Sequence, residues 1–429
     1  MSDIPELVID KVSPRAREVI AKVRRFVEEE VLPVEEQYET ALDGFTGRAN
    51  TTGGPYPRFS AVPSTIETLK QKARAQGLWN LFLPKNYNEG AGFTNLEYAL
   101  MAEQTGRAHL AAEALNCAAP DTGNMEVFAR YANEQQKKQW LEPLLDGKIR
   151  SAFCMTEKGV ASSDAKNIRL QITKDGSDYI LNGTKWWASG AGDPRCKVLL
   201  VMGKTSNTGS EYRQQSVIIV PVDTPGVNII RPMKVFGYDD APHGHMEIKF
   251  DNCRVPQANV VWEEGRGFEI IQGRLGPGRI HHCMRTLGAA EQALQWMLKR
   301  ITDPNRVTFG RQLKEHGTIM DWVAKSRIEI DYGRLLVLSA ANKIDVGGPK
   351  AALLDISKAK IECPNISLRV IDRAIQVHGA EGVSQDTPLA RMYAGNRTLR
   401  IADGPDEVHL DQLARRVIHA YEKSRQSKL

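Results

Sequence analysis

The apolar positions of this 429-residue chain change period twice. Up to about residue 150 they recur at helix spacing. Val19, Ile20, Val23, Phe26 and Val27 share one face of a helix that opens on Ser13-Pro14. A serine hydroxyl caps free N–H groups there, and proline's fixed φ suits the first helical turn. A Gly-, Pro- and Thr-rich stretch over 44–64 interrupts the pattern, which resumes at Thr65, so the stretch reads as an excursion within one domain. The helix that follows ends at Gly77 and leads into the buried-looking Leu81-Phe82-Leu83.

From 151 to 262 the pattern alternates. Leu170 to Thr173 and a second strand ending in Trp186-Trp187-Ala188-Ser189 flank the turn Lys174-Asp175-Gly176-Ser177, which predicts a β-hairpin. Val198–Met202, Ser216–Val220 and Met246–Phe250 add short strands of a small sandwich or barrel. From 263 helices return, over Arg279–Arg300, Thr318–Val346, Lys350–His378, Pro388–Arg400 and from about Asp406. Pro364 is predicted to kink or break the third of these. The fold class is therefore α+β, with a helical domain over 1–150, an all-β domain over 151–262 and a helical bundle over 263–429. Neither βαβ alternation nor a Gly-x-Gly-x-x-Gly run is present, which argues against a Rossmann domain.

Composition narrows the function classes. The chain is 41% apolar and 25% charged, with a net charge of +5. That charge gathers mainly over 415–428, where a solvated helix face explains it without nucleic acid. A mild positive balance suits a polyanionic ligand such as a nucleotide or coenzyme A. The six cysteines form no Cys-x-x-Cys pair, so neither a structural zinc site nor a disulfide framework is expected, and no metal site is assigned. No run approaches the ~18 apolar residues of a membrane span. Three acids in the first ten residues argue against a mitochondrial transit peptide. The terminal Ser427-Lys428-Leu429 reads as a peroxisomal signal in a eukaryotic host, and otherwise a cytoplasmic location is expected.

The stretch Phe153–Gly192 carries the most chemical information. It combines a Thr156-Glu157-Lys158-Gly159 turn, a serine-rich loop and a Trp–x–Ser strand end. A turn with backbone donors beside an indole can hold a flat, polar-edged aromatic cofactor, although tryptophans in strands commonly serve packing. The pattern resembles the flavin-binding middle segment of acyl-CoA dehydrogenases, and the α–β–α order extends the resemblance over essentially the whole chain. It implies FAD as cofactor. Met155 and Thr156 correspond to the loop at the flavin pyrimidine edge. Trp187, Ala188 and Ser189 correspond to the family's Trp-Ile-Thr, with Ser189 donating toward flavin O4 or N5. Ser162 corresponds to the serine near the diphosphate and the coenzyme A arm, but one extra residue in Ala161-Ser162-Ser163-Asp164 leaves Ser162 and Ser163 interchangeable.

Arg306, Thr308 and Phe309 lie in an Arg-x-x-Phe-Gly match, where the arginine pairs with the FAD diphosphate of a neighbouring subunit. Gln376, Gly379 and Ala380 lie in a segment similar to Gln-x-x-Gly-Gly-x-Gly, at the adenosine end. The resemblance thus implies a homodimer or homotetramer with shared FAD. Asp403 falls where most members carry the catalytic glutamate. A second family position for the base corresponds to Gly278, which has no side chain. Aspartate reaches on the order of 1.5 Å less than glutamate. Asp403-Gly404-Pro405 also has the form of an ordinary turn ahead of the last helix. Arg279 and Gly404 correspond to substrate contacts, and Glu407 to a cofactor contact, while Asp406 and Glu407 also suit a helix first turn. The adjacent His281-His282 reads as packing or helix surface.

The activity implied is FAD-dependent oxidation of acyl-CoA to trans-2-enoyl-CoA, as in fatty-acid β-oxidation. Electron-transfer flavoprotein or another acceptor would reoxidise the enzyme. An acyl-CoA oxidase using oxygen and a non-dehydrogenating flavoprotein of the same fold are the alternatives. Within the family, Ala73–Pro84 and Ala402–Glu407 look most like the branch called members ten and eleven in animals. Those proteins often carry a kinase-like domain first, for which this chain has no room, so a stand-alone peroxisomal dehydrogenase is expected.

Overall fold

The computed structural model describes residues 4–47 and 56–426. The middle of the 44–64 excursion and the Ser427-Lys428-Leu429 ending lie outside the described residues. The chain forms two compact units, each assembled from separated segments. One comprises Pro33–Gly92 and Glu113–Leu275, the other Met1–Leu32, Phe93–Ala112 and Gly276–Leu429.

The first unit is built on a seven-stranded sheet: β1 (Arg150–Cys154), β2 (Gln171–Asp175), β3 (Asp178–Ser189), β4 (Cys196–Lys204), β5 (Gln215–Pro221), β6 (Val227–Met233) and β7 (His245–Pro256). The order is β1-β4-β2-β3-β7-β6, with β5 also paired to β4. The expected hairpin is β2–β3, antiparallel with Ile172 opposite Leu181, and Gly176 in its turn adopts φ +61°. Two strands escaped the alternation rule. In β1 four of five residues are buried, so no polar face shows. β6 contains Pro232, which ordinarily argues against a strand; here the strand lies at the end of the sheet order, where a missing N–H is tolerated. Phe59, Leu181, Leu199, Ile218 and Phe250 lie in the core of this sheet.

The second unit is helical. Ser13 caps the helix Pro14–Phe26 by accepting from Ala16 N at 3.2 Å. Thr94 and Glu97 form a reciprocal capping box on Asn95–Thr105, and Glu97 also accepts from Ser13 N at 2.9 Å. Asp345 completes that helix start by accepting from Asn95 N and Leu96 N at 2.9 and 3.0 Å. Asn95–Thr105 and Gly267–Thr302 meet through glycines. A Cβ on Gly106 would stand 2.0 Å from Arg285 O, and one on Gly288 1.9 Å from Glu103 O.

The helix Leu353–His378 runs through Pro364 without breaking, so of the expected kink or break the break does not occur. Proline removes the donor that would serve Lys360 O, and the next residue adds a side-chain bond of its own, from Asn365 Nδ2 to Ile361 O at 2.7 Å. The real interruption lies earlier, at Gly348, where φ is +75°.

Candidate active site

In the sheet unit, the Met155–Glu157 turn is held from below by a buried lysine. Lys185 Nζ donates to Met155 O and to Glu157 Oε1, both at 2.7 Å. Burial pushes the Lys185 ammonium down to about 8, against the pull of Glu157. Glu157 also accepts from Arg169 N and Leu170 N, at 2.8 and 2.9 Å. The turn therefore has a charged, fully hydrogen-bonded anchor. Thr156 Oγ1 donates to Trp186 O at 2.7 Å, joining turn to strand. Ser162 Oγ accepts from Glu157 N at 3.0 Å and donates to Glu157 O at 3.2 Å, whereas Ser163 is exposed.

The end of β3 is irregular. The β3–β7 register shifts between Lys185 and Ala188, and Trp187 adopts φ +52° with its side chain partly exposed. Such a bulge re-aims a side chain. Ala188 returns to the core, and Ser189 lies opposite His245 of β7. Ser189 Oγ is 2.7 Å from His245 Nδ1, and His245 Nε2 is 3.0 Å from Asp240 Oδ2. Sequence reading reached Trp187 and Ser189 but missed Lys185, Asp240 and His245. Only strand register could have found His245.

In the helical unit, Asp403 occupies φ +58° and Gly404 φ +104°. Arg279 Nε donates to Asp403 O at 3.0 Å, and His409 Nε2 lies 3.3 Å from the same oxygen. Lys360 Nζ donates to Leu399 O and, at 3.3 Å, to Gly404 O. The turn is thus clamped through its carbonyls while the carboxylate points elsewhere, toward His282, whose Nε2 is 3.5 Å from Asp403 Oδ2. Burial lowers the pKa of Arg279 and Lys360 and takes His409 down to about 4. His282 is therefore a neighbour of the candidate base. The doublet His281-His282 divides: His281 packs edge-on against Tyr98 at 4.7 Å, and His282 faces Asp403. Asp406 accepts from Arg400 Nε at 2.7 Å and Asn365 Nδ2 at 3.1 Å, bracing the turn, while Glu407 is exposed.

The remaining predicted residues lie in the same unit, and all but Thr308 are exposed. Arg306 lies 3.4 Å from Asp303 and 3.7 Å from Glu381. Thr308 is half-buried in a two-residue strand. Phe309 is 94% exposed at φ +50°. Gln376, Gly379 and Ala380 are exposed where the helix Leu353–His378 ends, with Gly379 at φ +67°.

Three family models cover most of the chain: acyl-CoA dehydrogenase N-terminal domain over residues 58–148, middle domain over 152–253 and C-terminal domain over 265–418. The chain belongs to the acyl-CoA dehydrogenase family. Members of this family are FAD-dependent. The chain is 52% identical over 405 residues to acyl-CoA dehydrogenase family member 11 of Gallus gallus, covering 94% of this chain and 50% of that one. It is 58% identical over 360 residues to a Mycobacterium tuberculosis protein named probable acyl-CoA dehydrogenase FadE2, covering 84% and 87%. A solved Mycobacterium abscessus structure, described as a candidate acyl-CoA dehydrogenase, superposes with TM-score 0.90 at 46% identity over 96% and 99% of the two chains. The chain spans about half the length of the animal relatives that it matches. The three-part dehydrogenase fold, helical at both ends with a curled middle sheet, agrees with the reading from sequence.

Proposed function

We propose that this protein is an FAD-dependent acyl-CoA dehydrogenase that forms trans-2-enoyl-CoA, with Asp403 as base. The observation that carries the reading is the Asp403 turn. A carboxylate stands on a positive-φ residue at the family's base position, its backbone clamped by Arg279, His409 and Lys360. Backbone strain held by such a surround is a feature of active sites. The carboxylate takes the α-proton, and the backbone N–H of Asp403 polarises the thioester carbonyl. Arg279 supplies positive charge toward the coenzyme A end.

The residues of the sheet unit suit the flavin ring. Trp187 would offer a flat apolar wall, and Thr156 and Ser189, whose hydroxyls are fixed on Trp186 O and His245, would offer the polar contacts. Arg306, Thr308 and Phe309, with Gln376, Gly379 and Ala380, would hold the diphosphate and adenosine of an FAD shared with a second copy. When bound, the flavin supplies the acceptor for the β-hydride. Shared FAD requires an oligomer, and exposed apolar side chains support one: Ile328, Tyr332 and Leu335 recur at helix spacing on Gly317–Ala351. Ser162 serves the turn through Glu157, so its proposed coenzyme A contact would come in addition.

The test is anaerobic addition of acyl-CoA thioesters of graded chain length to the purified holoprotein. Prompt flavin bleaching is expected with at least one thioester. Asp403→Asn should keep the flavin and lose bleaching by at least about a hundredfold in rate. Bleaching by no thioester, or at an undiminished rate in the variant, would count against the reading. Hydrogen peroxide yield in air then distinguishes an oxygen-using oxidase from a dehydrogenase served by another acceptor.

A further inference from the structure

Ser189, His245 and Asp240 form a chain of hydrogen-bonding groups built from three separate places. Ser189 and His245 are cross-strand neighbours in the β3–β7 ladder. Asp240 comes from the segment between β6 and β7, which is fastened to the end of β3. Gly190 N donates to Gly244 O at 2.9 Å, Gly192 N to His243 O at 3.2 Å and Gly244 N to Asp240 O at 2.7 Å. Gly244 has φ +61°, and a Cβ there would stand 2.4 Å from the Phe59 ring. The approach of Asp240 to His245 is thus fixed by backbone.

The partners set the direction of each hydrogen bond. A carboxylate accepts, so His245 Nε2 carries the proton that faces Asp240 at 3.0 Å. In the neutral ring Nδ1 then only accepts, and Ser189 must give its hydroxyl hydrogen to it across 2.7 Å. What Ser189 has left on its other side is lone pairs. The other groups facing His245 do not alter this balance. Trp187 and Met233 are uncharged, and burial takes His243, 6.2 Å away ring to ring, down to about 4 and keeps it neutral.

Resting on the FAD reading above, we propose that Asp240 and His245 are positioning residues that make Ser189 a hydrogen-bond acceptor toward the isoalloxazine edge and so favour the reduced flavin. An oxidised isoalloxazine presents acceptors at N5 and O4, and a reduced one presents N5–H. A serine committed to His245 matches the second and opposes the first. The family resemblance implies the opposite role for Ser189, that of donor. The Asp240–His245 pair therefore raises the two-electron potential of this enzyme.

The test is the flavin midpoint potential of the holoenzyme at about pH 8, above the ordinary histidine range. His245→Ala frees the Ser189 hydroxyl to donate, and the reduction equilibrium should fall about tenfold, which is about 30 mV for a two-electron couple. In a Ser189→Ala background the same substitution should produce no further shift. Asp240→Asn checks the argument with the strand pair intact. Its amide can donate to Nε2, which moves the ring proton to Nδ1, frees the hydroxyl and lowers the potential as well. If His245→Ala loses its flavin, Asp240→Asn decides alone. An unchanged potential, or an equal His245 effect with and without Ser189, overturns the proposal. Absence of flavin from the native protein would instead sink the FAD reading on which it rests.

Discussion

Asp403 holds its carboxylate on a backbone conformation that costs most side chains on the order of 1 kcal/mol, aspartate somewhat less. Its stability and its activity should therefore separate. Asp403→Gly is expected to melt at or above the native temperature while losing α-proton abstraction; a drop of several degrees would show that the side chain also holds the turn. Glu126 makes the opposite kind of residue-level statement. Burial, only partly offset by Tyr87, Arg130 and Arg274, pushes its carboxyl from 4.5 up to about 7. The folded protein thus binds a proton that the unfolded chain has released between those values. Stability falls as pH rises through that window, by roughly 3 kcal/mol in all, and the cost persists above it. Glu126→Gln, uncharged at every pH, should be more stable than native at about pH 8, and the gain should vanish below about pH 4.5. Thermal melts across that range check the sign. Residues of this kind show how far sequence reading reaches. Asp403, Trp187 and Ser189 could be proposed from sequence because each lies in a local motif. Lys185, His245 and His282 were not, because their roles depend on partners 28 to 121 positions away.

At the scale of elements, alternation and capping signals located the β2–β3 hairpin and the Ser13-Pro14 helix start. They failed where burial erased the alternation, in β1, and where an edge position excused a proline, in β6. The break expected at Pro364 does not occur, since the helix Leu353–His378 continues through it with all but one of residues 363–368 buried in the unit's core. Gly288 could not be recognised as a contact residue from sequence, since a glycine within a helix has no local signature of close packing, and Gly106, which ends Asn95–Thr105, reads simply as a helix stop. Their geometry makes a sharp prediction. Gly288→Ala drives a methyl into Glu103 O, and the backbone must separate. A loss of about 3 kcal/mol is expected in denaturant unfolding, whereas Gly278→Ala, in the same helix, where an added Cβ meets nothing within 4 Å, should be neutral or gain up to about 1 kcal/mol. Glu103 binds Arg334 through Nε at 2.9 Å and through Nη2 at 2.5 Å, so the same shift would disturb a nearly buried ion pair.

For the whole molecule, the proposed sharing of FAD ties assembly to cofactor retention. Phe309→Asp places a charge on a 94% exposed aromatic beside Arg306. It is expected to reduce both sedimentation mass and flavin content after gel filtration. Full-size particles with full flavin would exclude Phe309 from the contact. The sequence described three consecutive segments, whereas the compact units are interleaved along the chain. Period and composition report where one kind of element gives way to another, but not which distant segments share a core.

That interleaving has a consequence for synthesis on the ribosome. The sheet unit has all its segments once residue 275 has emerged, while the helix Asn95–Thr105 must wait for partners from the last third of the chain. Its eleven residues are all buried in the finished protein, and the run Tyr98–Ala102 at its centre is an apolar liability throughout elongation. A nascent chain stalled near residue 275 should therefore bind chaperones through this segment and release them only after the C-terminal helices appear. The order in which the chain is made, and not only its final core, is part of what the split unit demands of the cell.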